Sequence, residues 1–474
     1  MATIDDVTST PAKDDLVASW IGGQRWYAAK GRTPRLRRLD SWRLDDPHGE
    51  VGIETVIYHD VAGPEPMIYQ VPLTDRGSPL EGGEAALVGE FDHPTIGHRW
   101  VYDGPHDPAY TDQLLALLTG HATAQHASLS ETPDLDVAGA PHPAWDASGT
   151  PRGSRVLTGE QSNTSIIYDL IDDDGRERPV IAKVFRTLAA GENPDVVVQG
   201  ALAAWHCPYV PATVGQVAGA WQRPDGSRRD HGHLVFAQEF LPGSADAWRV
   251  ALDLAAAGAD FTERAFALGV ATAEVHASLT RACPTEEASA ERIAEMVAGM
   301  DRRLAVATSE VPALSAIAST TRDLHARLAD LPWPAMQRIH GDYHLGQVLD
   351  VPDRGWVLID FEGEPLRPLA ERNRLDSPLR DIAGMLRSLD YVGGSLAQAA
   401  RPVDASTWVR DARTAFLDGY ASVGQDPRIA HPELLRAFEI DKALYEVIYE
   451  ARNRPTWLPI PTTAITRLLE EVAP

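Results

Sequence analysis

Apolar and polar positions alternate with period two over residues 51–60 and 65–73, a pattern that predicts two paired strands. Residues 111–118 instead carry their apolar positions at helical spacing. The string LTGEQSNTSIIYD, residues 157–169, sets polar turn residues between two apolar flanks and predicts a strand, a turn and a returning strand. PVIAKVF, residues 179–185, is a further short strand with one lysine near its centre, and LVFAQEFLPG, residues 234–243, predicts a last strand running into a hinge. Beyond this point the pattern turns helical. Over residues 261–280, Phe266, Leu268, Val270, Ala273, Val275 and Leu279 recur at helical period, and His276 shares their stretch as a core histidine. The run Trp356-Val357-Leu358-Ile359 predicts a short buried strand.

These elements divide the chain into three. Residues 1–138 are expected to form an N-terminal α/β cap, with the first dozen residues disordered. Residues 139–153, rich in Pro, Gly and Ala, are expected to be a linker. Residues 154–242 form a small lobe with a sheet and one helix, and residues 243–474 a mostly helical lobe. The fold class is therefore α+β, and no repeat of 20–50 residues is present.

Composition narrows the classes. With 44% hydrophobic and 23% charged residues in a chain of 474, two or three cored domains are expected and wholesale disorder is excluded. A net charge of −25, from 43 basic and 68 acidic residues, argues against nucleic acid as a partner. Cys207 and Cys283 make no zinc pattern or disulfide framework and suit a reducing cytoplasm. The polar, acidic start is no secretory signal, and no run of 18 apolar residues offers a membrane span. The expected location is cytoplasmic, and the chain is compatible with a monomer.

The chemistry concentrates in QRIHGDYHLGQVLDVPDRGWVLIDFEGEP, residues 337–365. His340-Gly341-Asp342 is followed by a strand that ends in Asp360-Phe361-Glu362. Phosphoryl transfer from ATP to a hydroxyl needs one carboxylate facing the hydroxyl and a second holding Mg²⁺ on the nucleotide phosphates. Gln347 stands where kinase loops carry an amide metal ligand, and an amide oxygen suits a hard cation. The bland alternative is a buried loop with satisfied carboxylates. Lys183, inside its apolar strand, is costly unless it meets an anion; the alternative is a lysine snorkelling from an edge strand. Glu192 and Asp195 both stand as candidate partners for it. Ser162, Asn163, Thr164 and Ser165 offer hydroxyls and backbone N–H groups to phosphate oxygens, and the backbone around Gln238, Glu239 and Phe240 is placed to read an adenine edge. The basic cluster Arg367, Arg372 and Arg374, beyond residues 359–365, has two readings: a phosphate contact or a solvated segment.

Long strings give the resemblance. They include Gln24-Arg25-Trp26-Tyr27, EQSNTS at 160–165, Lys183-Val184-Phe185-Arg186, HGDYHLGQVL, IDFEGEP, DSPLRD at 376–381 and DKALYE at 441–446. On these the chain resembles the actinobacterial maltokinase-like family of sugar kinases, nearly end to end. The resemblance implies a bilobal, protein-kinase-like fold of the aminoglycoside-phosphotransferase type. It implies Asp342 as catalytic base, Gln347 and Asp360 as Mg²⁺ ligands with Glu362 in support, and Lys183 on the ATP phosphates. The family includes enzymes that phosphorylate maltose at its anomeric hydroxyl and a group that phosphorylates glucosamine at its 6-hydroxyl. The cap strings at 69–74, 82–89 and 99–104 resemble the latter group, so glucosamine is the expected acceptor and maltose the alternative.

An acceptor site is expected on DKALYEVIYEARN, residues 441–453. Glu446 and Glu450 lie one turn apart on one face, and Tyr449 and Asn453 on a neighbouring one. Trp457 supplies an aromatic for sugar C–H faces, His344 joins from the Asp342 loop, and paired carboxylates suit an ammonium. The alternative for the glutamates is a solvated face paired with Lys442 or Arg454. Gln24-Arg25-Trp26-Tyr27 is expected to pack the cap onto its neighbour, and Asp381 to brace the Asp342 loop through buried hydrogen bonds. A distant alternative for the whole chain is an inactive, carbohydrate-binding regulatory module; Lys183, Asp342 and Asp360 are all present and weigh against it.

Overall fold

The computed structural model describes residues 12–127, 132–145, 149–158, 162–364 and 367–470. Two units emerge from the backbone packing. One holds residues up to 196 together with 212–242; the other holds 197–211 and the chain from 243 onward.

In the first unit, β1 (Leu36–Leu44), β2 (Val51–Asp60), β3 (Met67–Arg76), β4 (Leu87–His93), β5 (Gly97–Asp103) and β6 (Gln125–His126) form an antiparallel sheet in the order β4-β5-β3-β2-β1-β6. The predicted pairing at 51–60 and 65–73 is present as β2 and β3, in register from Val51↔Arg76 to Asp60↔Met67. The helix Pro108–Leu118 follows, with Asp107 capping it through the Ala109 amide and proline in its first turn.

A second sheet uses β7 (Val137–Pro141), β8 (Thr150–Val156), β9 (Asn163–Ile171), β10 (Val180–Phe185), β12 (Thr213–Gln222) and β13 (Arg229–Glu239). Its order is β7-β12-β13-β10-β9-β8. The short β11 (Thr187–Leu188) continues from β10 but pairs with β3 of the first sheet. The expected linker at 139–153 is thus corrected: β7 and β8 lie there, at the two edges of this sheet. Edge positions tolerate the prolines. A Cβ at Gly139 would meet the Leu117 carbonyl oxygen at 1.9 Å, so this glycine serves close packing on a helix, not flexibility.

The two sheets are knitted from β3 and β10. Gln70 donates its side-chain amide to the carbonyls of Phe185 and Leu234, at 3.0 and 2.9 Å. Arg186, fully buried, donates to both carboxylate oxygens of Asp103 at 2.7 Å and stacks on the Trp26 ring. Trp26 and Tyr27 are buried and have the packing role expected of them, while Gln24 is half-buried and Arg25 exposed.

In the second unit, β14 (Ala245–Asp246), β15 (Val348–Val351) and β16 (Gly355–Leu358) make a small antiparallel sheet. Around it lie the helices Thr262–Ala282, Ala290–Glu310, Leu379–Ala397, Ser406–Val423, Pro432–Asn453 and Pro459–Glu470. Leu379–Ala397 runs through their shared core and buries Ile382, Met385, Leu386, Leu389 and Val392. Among the described residues no helix is long and apolar enough to cross a membrane.

Candidate active site

The loop carrying Asp342 is held from below by the helix Leu379–Ala397. Asp381, in the first turn of that helix, accepts the backbone N–H of His340 at 2.8 Å and of Gly341 at 2.9 Å. It also meets His276 Nε2 at 3.1 Å, and His276 Nδ1 lies 3.1 Å from the Tyr420 hydroxyl. Burial pushes the Asp381 carboxyl up, yet His276, His340 and the Gly341 amide together hold it below the ordinary range. A Cβ at Gly384 would meet the Tyr343 carbonyl oxygen at 2.5 Å, so only glycine lets the helix approach the loop this closely. Asp381→Ala leaves two loop amides and a buried imidazole without an acceptor. An expected loss of about 3 kcal/mol in urea unfolding follows from breaking one side of a buried pair; an unchanged midpoint would contradict the bracing role.

His340 sits between rings, 4.7 Å from Phe361 and 5.2 Å from Tyr343 by centroids. Its Nε2–H donates to the Ile359 carbonyl at 2.9 Å, joining the Asp342 loop to the end of β16. Asp360 follows with φ of +66°, a left-handed backbone that costs a non-glycine residue energy and persists only where its surroundings impose it. The β15–β16 hairpin and the Gln347 carbonyl, which accepts the Ile359 amide at 3.0 Å, supply that constraint. Gln347 Nε2 donates to Asp360 Oδ2 at 3.0 Å, leaving the amide oxygen as its remaining donor for a cation. Carboxylate oxygens of Asp360 and Glu362 lie within 4.8 Å of one another. An all-oxygen set of this kind fits Mg²⁺.

Sequence reasoning missed Lys442 and Glu364. The Lys442 ammonium lies 2.8 Å from Glu364 Oε1 and 3.4 Å from Asp342 Oδ1. Burial works against its charge, but Glu364 and Asp342 outweigh burial and raise its pKa. Glu364 is opposed by burial too, and Lys442, Arg367 and Arg380 bring it down to about 2. A carboxyl depressed on folding stabilises above its unfolded pKa, about 4.3, and that stability is lost as pH falls through the folded value. The Glu364–Lys442 pair therefore stays intact through neutral pH and opens between about pH 4 and pH 2. The only signal for Lys442 was its place in DKALYE, where it was weighed as a partner for the glutamates.

On the helix Pro432–Asn453, Glu446 accepts both Nε and Nη2 of Arg387 on Oε2, at 3.0 and 2.7 Å. Its Oε1 accepts no hydrogen bond among the described residues. Burial raises the Glu446 pKa, and Arg387 only partly offsets it. Glu450, buried, accepts from Arg454 at 2.6 and 2.9 Å and from the Tyr391 hydroxyl at 3.1 Å. Trp457 stacks on Tyr391 at 6.3 Å. Glu446, Glu450 and Trp457 thus gather about Arg387, Tyr391 and Arg454, none of which the sequence singled out as site residues except Arg454 as an ion-pair partner. Tyr449 is exposed, and Asn453 donates its amide to the Tyr449 carbonyl at 2.9 Å. His344 accepts the Gly346 amide on Nδ1 at 3.0 Å, and burial lowers its pKa.

In the first unit, Lys183 lies on the central strand β10, between Phe236 of β13 and Ser165 of β9, so the edge-strand alternative falls away. Its ammonium donates to Asp195 at 2.9 Å, which decides between the two candidate partners. Thr164 is buried and its hydroxyl accepts from Arg186 Nε at 2.8 Å, which occupies that oxygen within the unit. Ser162 is exposed and Asn163 half-buried at the start of β9. The amides of Glu239 and Phe240 donate to the carbonyls of Ala212 and Pro179, and Gln238 is buried in the β13 ladder. Of the string at 160–165, residues 160 and 161 lie outside the described residues.

A strand lysine paired with an aspartate in the first turn of the helix Pro194–Ala204, and a loop aspartate with a strand-end aspartate and an amide in the other unit, are the residue set of a kinase-like phosphotransferase. The chain belongs to the phosphotransferase enzyme family, which it matches over residues 155–421. Residues 20–107 match the maltokinase N-terminal cap domain. Among curated proteins, a glucosamine kinase of Mycolicibacterium smegmatis is 29% identical over 399 residues, covering 79% of this chain and 91% of that protein. A glucosamine kinase of Streptacidiphilus jiangxiensis is 30% identical over 257 residues, covering 50% of this chain and 58% of that protein. Among solved structures, a glucosamine kinase in complex with glucosamine, ADP and inorganic phosphate superposes with a TM-score of 0.66 at 23% identity. It covers 97% of this chain and 100% of its own, and shows the fold.

Proposed function

We propose that the chain transfers the γ-phosphoryl group of ATP to the 6-hydroxyl of D-glucosamine. The observation that carries the phosphoryl-transfer chemistry is the Asp342 loop, braced by Asp381 and tied through His340 to the strand that presents Asp360. The amino sugar is supported by the two related glucosamine kinases, one of them matched over most of its length.

Asp342 accepts the proton of the attacking hydroxyl, and Lys442, 3.4 Å away, orients its carboxylate. Lys183, held by Asp195, pairs with the phosphates of ATP. Ser162 and Asn163 serve the same nucleotide and the 238–240 stretch the adenine end, whereas Thr164, its hydroxyl taken by Arg186 and its backbone paired with Val184, serves the sheet. Gln347, Asp360 and Glu362 would hold Mg²⁺, which supplies charge neutralisation on the β- and γ-phosphates when bound. The sugar amine joins Glu446 through Oε1, the oxygen that Arg387 leaves open, while Glu450, Tyr449, Asn453, Trp457 and His344 line the rest of the acceptor site. A carboxylate with one oxygen engaged retains acceptor capacity for an ammonium.

Maltose 1-phosphate formation is the second reading, favoured by the match of residues 20–107 to the maltokinase cap. The test is kcat/KM for glucosamine, N-acetylglucosamine, glucose and maltose under one set of conditions. Glucosamine is expected to lead the others by at least about tenfold, since a site built for a polar group rejects analogues that leave it unpaired. Equal use of N-acetylglucosamine would remove the ammonium contact, and preference for maltose would replace the reading. Glu446→Gln is expected to narrow the preference for glucosamine over glucose by roughly tenfold, the worth of one charge-assisted contact. Because burial raises the Glu446 pKa, the glucosamine preference should fade on acidification at a pH above the ordinary glutamate value of about 4.3.

A further inference from the structure

A concave basin of about 460 Å³ lies on the second unit, formed by the helix Ala290–Glu310, the segment 367–380 and the helix Pro432–Asn453. Seven arginines line it against four carboxylates. The chain as a whole has the opposite excess, 43 basic to 68 acidic residues. The basin is therefore a positive island on an acidic protein, and it contains Arg367 and Arg374 of the basic cluster whose role the sequence left open.

Its floor is built and buried. Arg303 pairs with Asp441 at 2.7 Å, and Arg380 with Asp376 at 2.8 Å. Its rim has donors to spare. Arg302 is exposed and makes no hydrogen bond or ion pair among the described residues. Arg452 is half exposed, and its partner Glu310 is not part of the lining. Planar guanidinium forks match phosphate oxygens bidentately. The volume suits a sugar-sized ligand, while the overall negative charge repels polyanions.

We infer that this basin binds a phosphomonoester of sugar-phosphate size and that the bound anion lowers turnover. A chain of ion pairs leads from the basin to the catalytic loop. Arg367 lines the basin and pairs with Glu364 at 2.8 Å; Glu364 holds Lys442 at 2.8 Å; Lys442 reaches Asp342 at 3.4 Å. A phosphate that draws Arg367 to itself leaves Glu364 to pull Lys442 more strongly, and Asp342 loses its orienting charge.

The test is calorimetric titration with inorganic phosphate and with glucose 6-phosphate, the protein being saturated with a nonhydrolysable ATP analogue. Steady-state inhibition by the same two probes runs alongside. The unsubstituted protein is compared with the Arg302→Ala/Arg452→Ala variant, both positions being exposed and outside the catalytic machinery. Binding is expected, with the phosphomonoester at least roughly tenfold weaker in the double variant, which removes two guanidinium donors. Uninhibited kcat and KM should be unchanged by the variant, while inhibition should lower kcat, not raise either KM, and should largely disappear with the two arginines. Absence of binding, unchanged affinity in the double variant, or inhibition competitive with ATP or sugar would each overturn the inference. The binding measurement does not depend on which sugar is phosphorylated, so its failure and that of the glucosamine reading are separable.

Discussion

Asp342→Asn is expected to lower kcat by about 10²-fold or more, the usual size of a general-base contribution, while ATP binding stays near normal. The loop itself should survive the change. Its backbone is held by Asp381, its neighbour His340 by Ile359, and Tyr343 by a 2.8 Å contact with the Thr272 hydroxyl. Asparagine keeps the shape and the oxygen nearest Lys442 but cannot take a proton. The loss should therefore fall on kcat and on kcat/KM together, the signature of an interaction made in the transition state. Near-normal turnover by Asp342→Asn in a rapid-quench assay would remove Asp342 from the mechanism.

Asp360→Ala is expected to cost more, roughly 10³-fold in turnover, as when a charge-stabilising group is lost from a phosphoryl-transfer site. The substitution removes a carboxylate from the Gln347–Asp360–Glu362 set and the acceptor of the Gln347 amide. Alanine at a φ of +66° also strains the backbone, by about 1 kcal/mol. A modest fall in melting temperature should accompany the kinetic loss. Titration with Mg²⁺ separates the two effects: a metal ligand shifts the Mg²⁺ requirement upward, whereas strain alone leaves it in place. Wild-type activity in the presence of a chelator would contradict the assignment outright.

Much of this is legible in the sequence, for identifiable reasons. Period-two alternation marked β2 and β3, although Thr55–Tyr58 of β2 and Tyr69–Asp75 of β3 are buried on both faces. The apolar run at 356–359 marked the strand that delivers Asp360 because that strand is buried on both sides. Lys183 stood out because a cation in an apolar strand needs an anion, though only three-dimensional packing separated Asp195 from Glu192. Edge strands β7 and β8 were unreadable because Pro and Gly there answer to close packing and edge geometry, and composition alone makes such a segment look like a linker. The charged interior of the helical unit was the least legible. Lys442 meets Asp342 across 100 residues of chain, and Arg387 meets Glu446 across 59. No local spacing encodes such pairs, so Glu446 was foreseen as an ammonium partner but not as a residue already sharing an arginine.

One competition experiment bears most directly on the account. The protein is incubated with ATP, Mg²⁺ and equal concentrations of glucosamine and maltose, and the products are assigned by proton–phosphorus correlation NMR. The expected result is phosphate coupled to the C6 protons of glucosamine, with ADP released in step. Phosphate on the anomeric carbon of maltose, or free phosphate with neither sugar modified, would contradict it.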